Sequence, residues 1–181
     1  MTRRVLAGVP AGGQFAAQHR TDAEISLALI EGRAESDDIF GIPEETANAI
    51  ARRHLDGVVA NVEASHRARG DGDVQIAEGR ARAHAEAFLM VTADDAPHAA
   101  GRAFRATALV DLMRSRNAPR SLRIHPVEAI ASEFRDEIVL MLDARARRAE
   151  ENAASLADDS LLWVAAAETY RSAAAEIRDA L

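Results

Sequence analysis

The sequence predicts an all-α protein, a bundle of four to five amphipathic helices with an extended N-terminal arm. After Pro43, apolar residues recur at spacings of three and four, which is the period of one helix face. Glycine and proline are sparse after residue 45, and all 22 basic residues are arginine, a strong helix former like the abundant alanine. Because apolar helix faces must cover one another, such helices are expected to form a bundle.

The first 42 residues differ in character from the rest of the chain. Residues 1–20 have no helical period and contain Gly8, Pro10 and a Gly-Gly pair, so they predict an extended arm. Residues 21–42 predict a short helix, opened by the capping-box spacing of Thr21 and Glu24, and then an acidic linker. Alternating aliphatic residues from Ile25 leave a short strand open as an alternative. The helical bundle is expected over residues 43–181.

Helix starts and stops within the bundle follow from capping chemistry. Pro43 suits a first helical position, with acidic residues behind it at the positive end of the helix dipole. Asp73 is a good N-cap for the next helix. A third helix is predicted from about residue 97 to 115, a fourth from Pro126, and a last one after a break at residues 158–160.

Each predicted helix has one face that is expected to point inward. These faces consist mostly of alanine, aliphatic and aromatic residues. They comprise Ala47, Ala51, Leu55, Val58 and Val62; Ala77, Ala81, His84, Phe88 and Val91; Ala100, Phe104, Ala108 and Leu112; Val127, Ile130, Phe134, Ile138 and Met141; and Trp163, Ala166, Tyr170, Ala174 and Ile177.

Several functional classes find no support in the sequence. The chain has no cysteine, which excludes disulfides, thiolate zinc sites and cysteine nucleophiles. It has neither a Gly-x-Ser-x-Gly elbow nor a phosphate-binding Gly-x-x-x-x-Gly-Lys loop, so no cofactor is predicted and a non-enzymatic role is favoured. No stretch approaches the ~20 apolar residues of a membrane span, and the start does not resemble a signal peptide. The expected location is the cytoplasm, or the virion for a phage structural protein.

Two places in the sequence have histidines that are candidates for a metal or acid–base site. Glu63 and His66 share a helix face, as do the ligands of Glu-x-x-His metal sites, but a second such pair is missing and a solvated face is favoured. His84 lies in an apolar stripe, where a hydrogen-bonded or partly exposed core histidine is the favoured interpretation. A metal-dependent helical enzyme built around Glu63, His66 and His84 is one alternative function.

A basic stretch is the strongest electrostatic feature. It lies between His98 and His125, and we call it the basic corner. Arginine pairs well with phosphate and carboxylate groups, so this stretch is a candidate site for nucleic acid or an acidic partner. Pairing with acidic segments of the chain itself is the favoured interpretation, since the net charge is −7 and nucleic-acid binders are usually basic. Its arginines are Arg102, Arg105, Arg114, Arg116, Arg120 and Arg123, of which the last four are the candidate partner-binding residues.

The segment from Ala7 to Ala16 carries a resemblance. It is similar to the "AGVPxGGQFA" leader at the start of many uncharacterised proteins of actinobacteria, their plasmids and their phages. The resemblance covers about a tenth of the chain and implies a source and a shared partner or handling signal, without implying an activity. Its candidate partner-binding residues are Val9, Gly12, Gly13, Gln14 and Phe15. The alternative is that Val9 and Phe15 dock on the bundle.

Together these features predict a non-enzymatic helical protein for protein–protein interaction. The expected setting is an accessory role in a phage or mobile element of a high-GC bacterium, as a structural component, a regulator or an inhibitor of a host system. The alternatives are a nucleic-acid-associated protein that uses the basic corner and the metal-dependent enzyme described above. A protein partner is expected and no membrane partner, while Ala-rich helix faces are compatible with a homo-oligomer.

Overall fold

The helices that the sequence predicts after Pro43 are present in the computed structural model, which describes residues 41–92, 99–115 and 126–180. Over these ranges the chain forms five α-helices: α1 (Glu44–Arg67), α2 (Asp71–Thr92), α3 (Ala99–Arg114), α4 (Ser132–Ser155) and α5 (Ser160–Asp179). A short 3-10 helix, Ala157–Asp159, precedes α5. The all-α prediction is thus confirmed. The N-terminal arm and the helix expected after Thr21 lie outside the described residues.

The first described helix begins at Glu44, one residue after the predicted first helical position, Pro43. Pro43 stands at the N-cap with a φ of −59°, and Glu44 and Glu45 occupy the first turn, where the helix dipole favours negative charge. The predicted inward residues of α1, Ala47 to Val62, are all buried. Short connections join α1 to α2 and α4 to α5, so each of these pairs packs as neighbouring helices.

The fourth predicted helix starts later than expected. Residues 126–131 are not helical, and α4 begins only at Ser132. Ile130 instead forms an antiparallel bridge with Ile42, in which N–H···O distances are 2.8 and 2.9 Å. Asn48 of α1 holds the same segment, since its side chain donates to the Val127 carbonyl and accepts from the Val127 amide, both at 2.9 Å.

The main core lies among α1, α2, α4 and α5. α5 packs against both α4 and α2, and α2 also packs against α1. The α2–α5 contact is close because Gly79 lies against the backbone of α5: a Cβ atom built on it would overlap the Leu162 carbonyl oxygen. The largest fully buried residues of this core are Ile42, Leu142 and Ile177.

A second, smaller core attaches α3 to the molecule. It contains two residues from each of α1, α2 and α3, and α3 packs chiefly against α2. This arrangement buries only one narrow side of α3. Its members are Val58, Val62, Ala81, Ala85, Ala106 and Val110. No helix in the described ranges is long and apolar enough to cross a lipid bilayer.

Candidate interaction surface

The outer side of α3 carries an exposed apolar stripe in the part of the chain that the structure describes. Phe104 is 76% exposed and Leu112 is 44% exposed, and Ala108 between them is also exposed. Because residues four apart lie on one helix face, these three side chains form a continuous stripe. We call this set of three the α3 stripe. Large apolar side chains aligned in this way on a surface are typical of a contact site.

The prediction that this stripe faces inward is therefore wrong. The inward side of α3 is formed by Arg102, Ala106 and Val110, which are 8%, 2% and 2% exposed. Arg102 reaches across to α4, where a guanidinium nitrogen lies 2.8 Å from the sulfur of Met141. Phe134 of α4 was also predicted to face inward and is 54% exposed. In both helices a bulky aromatic residue points to solvent.

Opposite charges flank the α3 stripe. Arg105 and Asp111 are both exposed and lie next to the stripe. In a view down the helix axis, Arg105 lies on the same side of Ala108 as Leu112, and Asp111 lies on the same side as Phe104. Asp111 is 3.9 Å from Arg114, whose closer partner is Glu78 of α2 at 2.8 Å. The stripe thus has a positive edge and a negative edge.

A neighbouring helix adds further apolar surface. Leu140 of α4 is 66% exposed, and it precedes Met141, the residue that Arg102 of α3 contacts. One long side chain from the inward face of α3 thus reaches α4.

A histidine pair joins α1 to α2, with His54 buried and His84 half-buried. The Nδ1 atoms of His54 and His84 are 3.1 Å apart, so one ring donates to the other. Gly57 makes room for the His84 ring, because a Cβ atom there would lie 2.7 Å from ring carbons. Burial, then the neighbouring His84 and Arg53, lowers the pKa of His54 to about 4. Burial, then Arg80, lowers the pKa of His84, so both rings are uncharged at neutral pH.

A carboxylate of α5 completes the surroundings of the histidine pair. An oxygen of Glu176 lies 3.9 Å from Nε2 of His54, and Glu176 also forms an ion pair with Arg53. Partial burial raises the pKa of Glu176 while Arg53 opposes the rise. These groups could exchange a proton, but they lie between packed helices.

A second buried polar group connects α2, α4 and α5. The Glu86 carboxylate is 3.0 Å from Nε of Arg145 and accepts a hydrogen bond from the Tyr170 hydroxyl. Burial raises the pKa of Glu86, and the nearby Arg145, Tyr170 and Arg102 oppose that rise. Burial and Glu86 also raise the pKa of Tyr170. A buried carboxylate held on several sides is expected to fix helix positions.

Comparison of the chain with protein-family models, with curated proteins and with solved structures finds no match.

The basic corner is only partly described. Arg102 is buried, Arg105 is exposed and Arg114 is ion-paired with Glu78, so these three arginines do not form one open cationic surface. Three of the four candidate partner-binding arginines lie outside the described residues, as do both flanking histidines and the whole of the predicted arm motif. These positions are Arg116, Arg120, Arg123, His98, His125, Val9, Gly12, Gly13, Gln14 and Phe15.

The candidate metal ligands do not converge. Glu63 pairs with Arg67 at 2.5 Å on an exposed face, and His66 is exposed. His84 packs at the level of Gly57, nine residues before His66 along α1, which corresponds to about 13 Å of helix. In the described part of the chain no three or more His, Asp or Glu side chains are grouped to hold a metal ion.

The sequence did not lead us to predict that His54 and Glu86 are buried. His54 was not singled out, although it lies beside Ala51, Leu55 and Val58 on the buried face of α1. That position is the signal that could have identified it. Glu86 gave no comparable signal, because charged residues are frequent in the sequence around it.

A groove between the end of α1 and the start of α2 is a further concave surface. Its volume is about 430 Å³, and the histidine pair and Glu86 do not line it. The groove therefore lacks the acid–base groups that the buried clusters contain. Its lining residues are Asn61, Ala64, Arg67, Ala68, Asp73, Ile76, Ala77 and Arg80.

Proposed function

We propose that this chain is a non-enzymatic protein–protein interaction protein and that the α3 stripe is its contact surface. The observation that carries the proposal is the 76% exposure of Phe104 in line with Ala108 and Leu112. Burying exposed apolar area is the main favourable term in most protein association. Aromatic residues are also enriched at the energetic centres of interfaces.

The perturbed titratable groups are better suited to structure than to catalysis. His54, His84 and Glu86 are held between helices by partners within the bundle, and they do not line the groove between α1 and α2. A catalytic acid or base must reach a substrate. This placement supports a binding role for the chain.

The biological setting that we propose is an accessory role in a phage or mobile element of a high-GC bacterium. Two sequence features support it: the leader-like segment from Ala7 to Ala16, and the use of arginine for all 22 basic residues. Within that setting the protein would be a structural component, a regulator or an inhibitor of a host system.

Affinity purification from the native host, or from infected cells, tests the proposal. Phe104→Glu and Leu112→Glu place a charge in the α3 stripe, and both positions are exposed, so the variants should fold. Val164→Glu on α5 is the matched control, because Val164 is 45% exposed and Leu112 is 44% exposed. We expect the two stripe variants to lose a partner protein that the wild type and the control retain. Identical captures by all four proteins would contradict the proposal.

A further inference from the structure

We propose that the partner of the α3 stripe is the α3 stripe of a second copy of this chain. In this dimer the two helices run parallel and cross at Ala108, and Arg105 of each copy pairs with Asp111 of the other. The inference rests on the proposed function, since it requires the α3 stripe to be a contact surface. It adds the identity of the partner, the relative orientation of the two helices, and the charged residues that determine the partner and the orientation.

The spacing of the stripe sets how two copies would cross. Residues 104, 108 and 112 form a ridge of four-residue steps, which inclines to the helix axis. Two helices that interlock such ridges cross at about −50°, with their axes 8–10 Å apart. Ala108 lies at the centre of the ridge, where its small side chain allows the closest approach. Phe104 and Leu112 then cover the contact on either side.

The charges select the direction of the second helix. At about 100° per residue, Arg105 lies on one flank of the stripe and Asp111 on the other. In a parallel pair related by a twofold axis, the positive flank of each helix meets the negative flank of its partner. Because the ridges are inclined to the helix axes, the two helices cross. This crossing brings Arg105 of one copy and Asp111 of the other to nearly the same height along the twofold axis. Opposite charges therefore meet on both sides of the contact.

An antiparallel pair would have the reverse effect. A twofold axis across the helices brings like flanks together, so that Arg105 would face Arg105 and Asp111 would face Asp111. Like charges held close together destabilise an interface and reject the wrong alignment. A partner unrelated to this chain has no reason to match a positive and a negative edge at this spacing, whereas a second copy provides both.

The contact is small, which sets the expected strength. One helix face offers little area, whereas specific stable interfaces bury about 1,200–2,000 Å². We therefore expect a reversible dimer, whose population changes with protein concentration.

A charge swap in the full-length chain tests the pairing. Sedimentation equilibrium measures the dimer Kd of the wild type, Arg105→Asp, Asp111→Arg and the double swap. Each single change turns two attractive contacts into repulsive ones, and we expect it to raise the Kd about tenfold or more. The double swap should restore the dimer. Arg147→Asp, an exposed change on α4, is the control.

Single cysteines test the direction, since the native chain has none. In a parallel pair position 112 meets position 112, so Leu112→Cys alone should form a disulfide-linked dimer under mild oxidation. In an antiparallel pair position 112 meets position 104, and a mixture of Leu112→Cys and Phe104→Cys would form the mixed dimer preferentially. Val164→Cys on α5 controls for random collision.

The possible outcomes separate this inference from the proposed function. A chain that stays monomeric at every concentration but captures a partner through the α3 stripe would overturn the dimer and retain the proposed function. A preferential mixed disulfide, or a double swap that fails to restore the dimer, would overturn the parallel pairing. A dimer that Leu112→Glu does not weaken would overturn the dimer proposed here, because the stripe would not be its contact. The proposed function is contradicted only if the stripe variants also capture the same proteins as the wild type.

Discussion

Gly79 shows how a single small residue sets the distance between two helices. It is buried in the middle of α2, and the backbone of α5 occupies the space where a side chain would begin. Glycine is usually unfavourable inside a helix by about 1 kcal/mol relative to alanine. Here that cost is offset by the close packing of α2 on α5, which larger residues would prevent.

We expect Gly79→Ala to destabilise the protein although alanine is the better helix former. The added methyl group must displace the Leu162 carbonyl or separate the helices, and such overpacking costs about 1–3 kcal/mol. Urea denaturation followed by circular dichroism measures the free energy of unfolding. Gly72→Ala, in the first turn of the same helix, is the control, since its nearest contact would be a flexible Leu161 methyl group at 3.1 Å. Equal or higher stability of Gly79→Ala would show that the α2–α5 contact is not tight.

At the scale of the element, the segment before α4 is held to α1 by backbone and side-chain hydrogen bonds. Asn48 binds both the amide and the carbonyl of Val127, and Ile42 exchanges two hydrogen bonds with Ile130. The segment 126–131 is therefore bonded to Ile42 and to the first part of α1, and it is not helical. α4 begins only after the chain leaves this contact.

We predict that Asn48→Ala releases this segment. The change removes both hydrogen bonds to Val127 and should lower the free energy of unfolding by about 1–3 kcal/mol. Amide hydrogen exchange should also accelerate at Val127 and Ile130. Asn61→Ala is a matched control, because each asparagine donates to the carbonyl four residues earlier but only Asn48 also binds a distant segment. Unchanged exchange at Val127 would contradict the assigned role.

The helices were largely predictable from sequence, and the exceptions have physical causes. In α1 every residue predicted to face inward is buried, although Ile50 and His54 are also buried and were not predicted. In α3 two faces fit the period, and the face with Phe104 and Leu112 is the more apolar. The folded chain instead buries Arg102, whose long side chain reaches Met141. Periodicity finds an apolar stripe but does not show which stripe a neighbour covers.

The beginning of α4 was mispredicted for a different reason. Pro126 is a favourable first helical residue, and nothing local forbids a helix from there. The non-helical path of residues 126–131 depends on Ile42 and Asn48, which lie about eighty residues earlier. The histidine pair is equally non-local, since Gly57 and the contact between α1 and α2 create its site. Local sequence patterns do not contain such pairings.

At the scale of the whole molecule, buried titratable groups link stability to pH. His54 and His84 are kept neutral in the folded state, whereas in the unfolded chain they take up protons below about pH 6.5. The contribution of both rings to stability is complete above that pH and declines below it, and that of His54 is lost as the pH falls towards 4. Glu86 and Glu176 have raised pKa values and act in the opposite direction as they gain protons.

We expect His54→Gln to flatten the decline in stability between pH 6.5 and pH 4. Each additional proton bound by the unfolded state costs about 1.4 kcal/mol per pH unit. The free energy of unfolding, measured by urea denaturation across this range, should fall less steeply in the variant than in the wild type. His66→Gln changes an exposed histidine and should keep the wild-type slope. If the free energy of unfolding fell equally steeply with pH in the wild type and in His54→Gln, the result would contradict the lowered pKa of His54.

The bridge between Ile42 and Ile130 has a consequence for the order of folding. Its two residues are separated by three helices along the chain, so closing the intervening loop has an entropic cost that neighbouring helix pairs avoid. Contacts of such high sequence separation form slowly. The α1–α2 and α4–α5 hairpins are local and should assemble first. The amide protons of Ile42 and Ile130 would then be protected last during refolding and would mark the arrival of the native state.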